Sequence, residues 1–254
     1  QERRQRLSLQ SRLLPGAPLV KHRLLLLNPP DGMDTHTSRR VHPAPQLLRW
    51  ILQLDHAPLL DGATRLDTSR PPFVPQVTQD RLARLAGALH TPVTVAIVNG
   101  TMGVREGVAM AIARAADRPL VRVDLDRSKK YLDQPWDLIR DLMLDGAIPY
   151  LVNVPETDDE PQVRLQMMGL GTALATLPYA VCVGGNDRKA VATMLGVDRP
   201  NVTVGVGRTT TEERINAWTE ALSRRGWDGS VAAEIADRFY SVGGTTVERV
   251  LDRA

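Results

Sequence analysis

The chain has 254 residues, 43% of them hydrophobic, and its 32 basic and 29 acidic side chains leave a net charge of +3. That is enough apolar material for one large packed domain or two smaller ones, and with no Lys/Arg cluster interleaved with aromatics there is no nucleic-acid surface to read. A single cysteine, Cys182, excludes a disulfide framework or a cysteine-based zinc site within the chain. Lying in an apolar run, it reads as a small buried hydrophobe in a reducing cytoplasm.

From the N-terminus, QERRQRLSLQSRLLPG has no apolar signal-peptide core and no initiator Met, so a piece of a longer, cytoplasmic protein is expected. LLLL at 24–27 is far short of the roughly 20 residues that span a bilayer, and Asn28-Pro29-Pro30 follows it. No membrane role is expected. The first 92 residues hold 11 of the 18 prolines. LVKHRLLLL (19–27), PQLLRWILQL (45–54) and TQDRLARLAGAL (78–89) carry apolar residues at helical spacing, with Thr78 as N-cap of the last. Residues 28–34 and 69–76 have loop composition. Residues 1–90 therefore read as a mainly helical N-terminal domain or prefix.

From residue 92 short β-branched runs alternate with helical patterns. The strands expected are within 91–100, 119–127, 149–156, 179–187 and 201–207, and the helices lie over 104–116, 135–146, 160–177 and 188–196. Strands separated by helices of this length imply right-handed crossovers and a parallel sheet covered on both faces. Near-continuous apolar strands suit that burial. After the fifth strand the alternation stops. Residues 209–254 read as three helices in a row, the first capped by Thr211 or Thr210, with Glu212 and Glu213 favouring its positive start. The chain ends within the third helical pattern.

The stretch TVAIVNGTMGVREGVAMAIA (94–113) places a glycine-containing turn between the first strand and its helix. A phosphate loop sits at such a junction, as Gly-x4-Gly-Lys-Ser/Thr: its backbone N–H groups curl around phosphates, its Lys neutralises them and its hydroxyl binds Mg²⁺. Aligned without gaps, the loop runs from Asn99 to Glu106, with Asn99 and Val104 at the glycine positions, Arg105 at the lysine and Glu106 at the hydroxyl. A one-residue shift puts Gly100 and Gly103 on glycine positions but Glu106 on the lysine. Arg105 could hold a phosphate, but Glu106 is expected to face the same anion and repel it. An ordinary strand-to-helix turn is the plainer reading.

Five parallel strands followed by a helical subdomain resemble the AAA+ ATPase module, over about residues 91–254. The resemblance implies a sheet of order 5-1-4-3-2, an α/β core over 91–208 and a helical lid over 209–254. It also implies where the remaining motifs should lie. The third strand, which in the family ends in Asp-Glu, here ends in Pro155-Glu156, leaving Glu156 as a vestigial base without a metal-binding neighbour. Asn186 matches the γ-phosphate sensor after the fourth strand. Arg199 sits where an intersubunit arginine is expected, and Arg249 lies slightly late for the lid's sensor arginine. The lid, EERINAW followed by AAEIADRFYSVGGTTVERVL, resembles bacterial proteins that carry two such modules in tandem, including those encoded with contractile injection systems. In these the first module is commonly degenerate.

The resemblance implies a scaffold or regulator that does not hydrolyse ATP and binds no cofactor of its own. Its partners would be a second AAA+ module or a ring of copies, and a protein client. Two other classes stay open. One is an active ATPase in which Arg105 replaces Lys and ATP with Mg²⁺ binds. The other is a Rossmann-like enzyme with Asp124 on a ribose, although Gly-x-Gly-x-x-Gly is absent. The five histidines show no metal-ligand spacing, with His36, His42 and Asp34 as the nearest approach to one. Trp50, Trp136, Trp218 and Trp227 read as packing residues.

Overall fold

The apolar β-branched runs pair into one mixed sheet. A computed structural model describes residues 14, 16–21, 23–27, 41–52, 62–69, 72–155, 160–185, 191, 199–239 and 251. In chain order it contains α1 (Pro18–Lys21), β1 (Leu25–Leu27), β2 (Val41–Pro43), α2 (Pro45–Ile51), β3 (Ala63–Leu66), α3 (Gln76–Leu85), β4 (Thr94–Val98), α4 (Met102–Ala115) and β5 (Leu120–Asp124). Then follow α5 (Lys129–Asp133), α6 (Pro135–Asp145), β6 (Ile148–Val152), α7 (Pro161–Leu174), β7 (Val181–Gly185), β8 (Asn201–Gly205), α8 (Thr211–Ser223) and α9 (Ala232–Arg238).

The sheet runs β3-β5-β6-β7-β4-β8. The five strands β4 to β8 are mutually parallel where they pair, and β3 adds antiparallel to β5, Ala63 opposite Val123. The five-stranded, wholly parallel sheet expected from sequence is thus a six-stranded mixed one. The first of the five parallel strands, β4, lies between the fourth and the fifth, Thr94 opposite both Val181 and Asn201. In a doubly wound dinucleotide fold it would lie beside the second, so the Rossmann-like order is not this one.

Every residue of β4 and β6 is buried, while β8, at the edge, is mostly open. That difference follows from position, since a central strand is covered on both faces and an edge strand is not. One apolar core joins β4 to β8 with α4 (Val108, Ile112), α6 (Ile139, Leu142) and α7 (Met167, Leu170). A second, smaller core holds Trp218, Leu222, Ala232, Ala236 and Leu251 of the C-terminal helical part. The first helix of that part carries a full capping box: Thr210 Oγ1 accepts from Glu213 N, and Glu213 Oε2 accepts from Thr210 N. Most of the third expected helix, and the helix expected over 188–196 apart from buried Val191, lie outside the described residues.

Residues 1–90 are less helical than their spacing implies. In 19–27 the helix ends at Lys21, Arg23 turns left-handed (φ 53), and Leu25–Leu27 become a strand paired with Val41–Pro43. Tertiary pairing here overrides local spacing. The third helix begins at Gln76, two residues before the expected cap, because the Thr78 hydroxyl accepts from Gly207 N instead of capping. Trp218 packs in the second, smaller core, as expected of a packing residue, but Trp50 and Trp227 are exposed.

Gly184 of β7 leaves room for the Tyr150 ring of β6. A Cβ there would lie 2.6 Å from the Tyr150 hydroxyl and 2.7 Å from its Cε2. Gly184→Ala is therefore expected to cost about 2 kcal/mol by overpacking. Gly169→Ala, in α7 with open space around it, should stabilise by about 0.5 kcal/mol. Urea unfolding of both variants checks this, and equal midpoints would show that the Tyr150–Gly184 fit is loose.

Candidate functional site

The turn after β4 is three residues long. Asn99 (φ 66) and Gly100 (φ 68) are both left-handed, and Thr101 is extended before the helix begins at Met102. Asparagine tolerates that conformation and glycine takes it freely. Gly100 has a second reason: a Cβ would lie 2.9 Å from Val206 Cγ1, just beyond β8. Gly103 to Glu106, the second half of the phosphate-loop alignment, are the opening turns of α4, which starts two residues before the helical pattern expected from 104, and Arg105 N bonds back to Thr101 O. The reason is local. None of these four positions needs a non-helical conformation, so the helix starts as soon as the reversal is complete.

Arg105 is 9% exposed and turns its guanidinium back onto the reversal, donating to Gly100 O at 2.8 Å and Asn99 O at 3.5 Å. Glu106 does not face the turn, contrary to the expectation from sequence. It is 3% exposed and accepts from Arg122 Nη1 of β5 at 3.3 Å. Arg122 Nη2 also lies 3.9 Å from Asp124 Oδ2. Asp124 Oδ1 accepts from Asn153 Nδ2 at 2.9 Å, where Asn153 is left-handed (φ 53) just after β6. Arg127 Nε stands 3.8 Å from the second oxygen. Asp124 thus has Asn153, Arg122 and Arg127 of its own chain around its carboxylate.

The Tyr150 phenol lies beside Arg105 and Glu106. Burial pushes its ionisation up, Arg105 pulls it down and Glu106 pushes it up again. Arg122, Tyr150, Asn153 and Val206 are residues that motif spacing does not single out. A signal existed for Arg122, a charge flanked on both sides by apolar residues in the strand LVRVD. The others show themselves only once strands are laid side by side.

Arg199 is buried against carbonyls of its own chain. It is 6% exposed and donates to Leu174 O (2.7 Å), Leu177 O (3.3 Å), Val93 O (3.1 Å) and Tyr179 O. These carbonyls cluster where β4, β7 and β8 begin, at the end of the sheet opposite the Asn99 turn. Burial lowers the guanidinium to about 10, so it stays charged at neutral pH. Glu156, Asn186 and Arg249 lie outside the described residues, as do His36 and Asp34. Among the described residues no His, Cys, Asp or Glu cluster could hold a metal ion, and no helix is long and apolar enough to cross a membrane.

No protein-family model matches the chain, and no curated protein matches it. Solved structures similar to it include Trip13 from Rhizobiales (13% identity, TM-score 0.38, covering 68% of this chain and 79% of that one). They also include the HORMA:CdnC:Trip13 complex of E. coli MS115-1 (13%, 0.40, 69% and 78%) and PCH-2 from C. elegans (13%, 0.35, 74% and 66%). These are AAA+ ATPases. The likeness is loose, and no chemistry passes from them to this chain.

Two measurements check the buried chemistry. Arg199→Met should cost about 3 kcal/mol in urea unfolding, since buried carbonyls lose a charged donor together, and Arg199→Lys should recover under half, an ammonium lacking the planar fork. A loss below about 1 kcal/mol would show the clasp to be idle.

Burial also pushes the Cys182 thiol from its ordinary 9.0 to about 12, and raises Tyr150 and Tyr179. Above pH 9 the unfolded chain sheds protons that the folded chain keeps, so stability is complete below pH 9 and falls as pH rises, by up to about 1.4 kcal/mol per unit per group. Urea midpoints taken from pH 7 to 11 should stay flat and then drop. Cys182→Ala should delay the drop by about one unit, from the thiol's range to the phenols'.

Proposed function

We propose that this chain is a degenerate AAA+-like module that serves as a scaffold or regulator within a larger ATPase assembly and does not hydrolyse ATP itself. The observation that carries this reading is the Arg105 guanidinium seated on the Gly100 carbonyl, where a phosphate would need backbone N–H groups and a cation to itself. The reading draws further support from β4 lying between β7 and β8 and from the separate small core of the C-terminal helices.

The residues at the cradle positions do not fit a triphosphate with magnesium. The turn is three residues long, so it cannot wrap a phosphate chain. Val206 packs against Gly100, Glu106 is held by Arg122, and Pro155 stands where an Mg²⁺-ordering acid would be. On this reading the prefix (1–90), the α/β core (91–208) and the lid (209–254) are the first part of a bacterial tandem protein, of the type encoded with contractile injection systems. It is cytoplasmic and works beside an active second module or in a ring of copies, on a protein client.

Calorimetric titration of the chain with Mg²⁺-ATP tests the reading. No heat beyond dilution is expected up to about 1 mM nucleotide, the weak end of specific binding. A saturable, stoichiometric signal would replace this account with an active ATPase that uses Arg105 in place of lysine.

A further inference from the structure

The connector between β8 and α8, residues 206–210, is the covalent link between the two apolar cores. A short connector of this kind is where a helical subdomain would pivot against its sheet. Here it is bridged from outside by α3, a helix some 130 residues earlier in the chain. Arg81 Nη1 of α3 donates to Gly205 O at 2.7 Å, at the end of β8. Thr78 Oγ1, fully buried, accepts from Gly207 N at 3.1 Å. The main-chain Gln76 N donates to Glu213 Oε1 at 2.8 Å, in the first turn of α8. The three contacts fall in order before, within and beyond the connector.

Glu213 is the pivotal acceptor. Its Oε2 takes the Thr210 N–H in the capping box, while its Oε1 takes the first free N–H of α3. One carboxylate thus lies between the positive starts of two helices, an arrangement favourable to both. Desolvation works against its charge, but the hydrogen bonds from Gln76 and Thr210 outweigh it and hold the carboxyl below its ordinary range.

We propose that α3 is a splint across the connector, fixing the angle between the α8–α9 helical part and the sheet through Arg81, Thr78 and the Gln76 N–H. This inference does not depend on whether the Asn99 turn binds nucleotide. It gives α3 a mechanical role, in which the angle opens only if α3 lets go.

A substitution isolates the key contact. Gln76 is the first residue of α3, and Pro75 before it is extended (ψ 140). Proline is therefore compatible with both the helix and its predecessor, and it deletes only the donor and the Gln76 side chain. Gln76→Ala keeps the donor and removes the side-chain bond to Asp80. Two readouts are used: amide exchange at Gly207, Thr210 and Glu213, and the width of the distance distribution between spin labels at Arg114→Cys and Asp237→Cys, both exposed positions.

Gln76→Pro is expected to speed exchange at those amides about tenfold and to broaden the distribution, while Gln76→Ala leaves both as in the parent chain. Equal behaviour of the two variants, either both unchanged or both loosened alike, would overturn the proposal. If Gln76→Pro does not fold, Thr78→Val takes its place. That isosteric change removes the Gly207 acceptor, and unchanged exchange and width in it would overturn the splint equally.

Discussion

The chain must reverse between β4 and α4 in three residues, and two consecutive left-handed residues achieve it. That constraint decides the rest of this end of the sheet. Because the reversal is tight, α4 begins at Met102, and Arg105 then stands one turn above the Gly100 carbonyl, within reach of it. With Arg105 folded down onto the turn, Glu106 turns to Arg122 on β5. Arg122 in turn lies near Asp124, which Asn153 holds from just after β6. A backbone requirement at two positions is thus linked across the sheet to the Glu106–Arg122 pair and to Asp124.

The two ends of the sheet are closed by the same kind of group. At the carboxyl ends of the strands Arg105 sits on main-chain carbonyls, and at their amino ends Arg199 does so with four. In each case a guanidinium gathers main-chain carbonyls at the rim, and of those under Arg199 two, Val93 O and Leu174 O, also accept from Val181 N and Leu177 N. A planar group with five donors does this better than an ammonium. The centre between them is apolar and tightly fitted, as the contact of Tyr150 with Gly184 illustrates. Between these two guanidinium-closed rims the sheet's central strands β4 and β6 are held by packing.

Much of the α/β core was legible in the sequence because its strands are buried on both faces and its helices separate them at regular intervals. Val95–Val98 or Leu151–Val152 can hardly be anything else. β3 was not legible. ATRL is a four-residue edge strand with no apolar alternation, and its identity comes from β5 alongside it. Arg23 shows the same limit, since the helical spacing of 19–27 continues through a residue that the fold turns left-handed.

Motif spacing drew attention to Asn99, Gly100, Arg105 and Glu106 at the strand-to-helix junction but not to their geometry. Which way Arg105 and Glu106 point depends on Arg122 and Tyr150, whose proximity only the sheet order creates. Arg199 drew attention through its family position just before the fifth strand, but sequence spacing carries no record of four carbonyls converging on one point.

Arg105 and its acceptor belong to the same short stretch of polymer. A tethered partner meets its target at an effective concentration that does not fall on dilution. On the proposed reading, any dissolved anion that approaches this turn has to displace an acceptor that travels with the guanidinium.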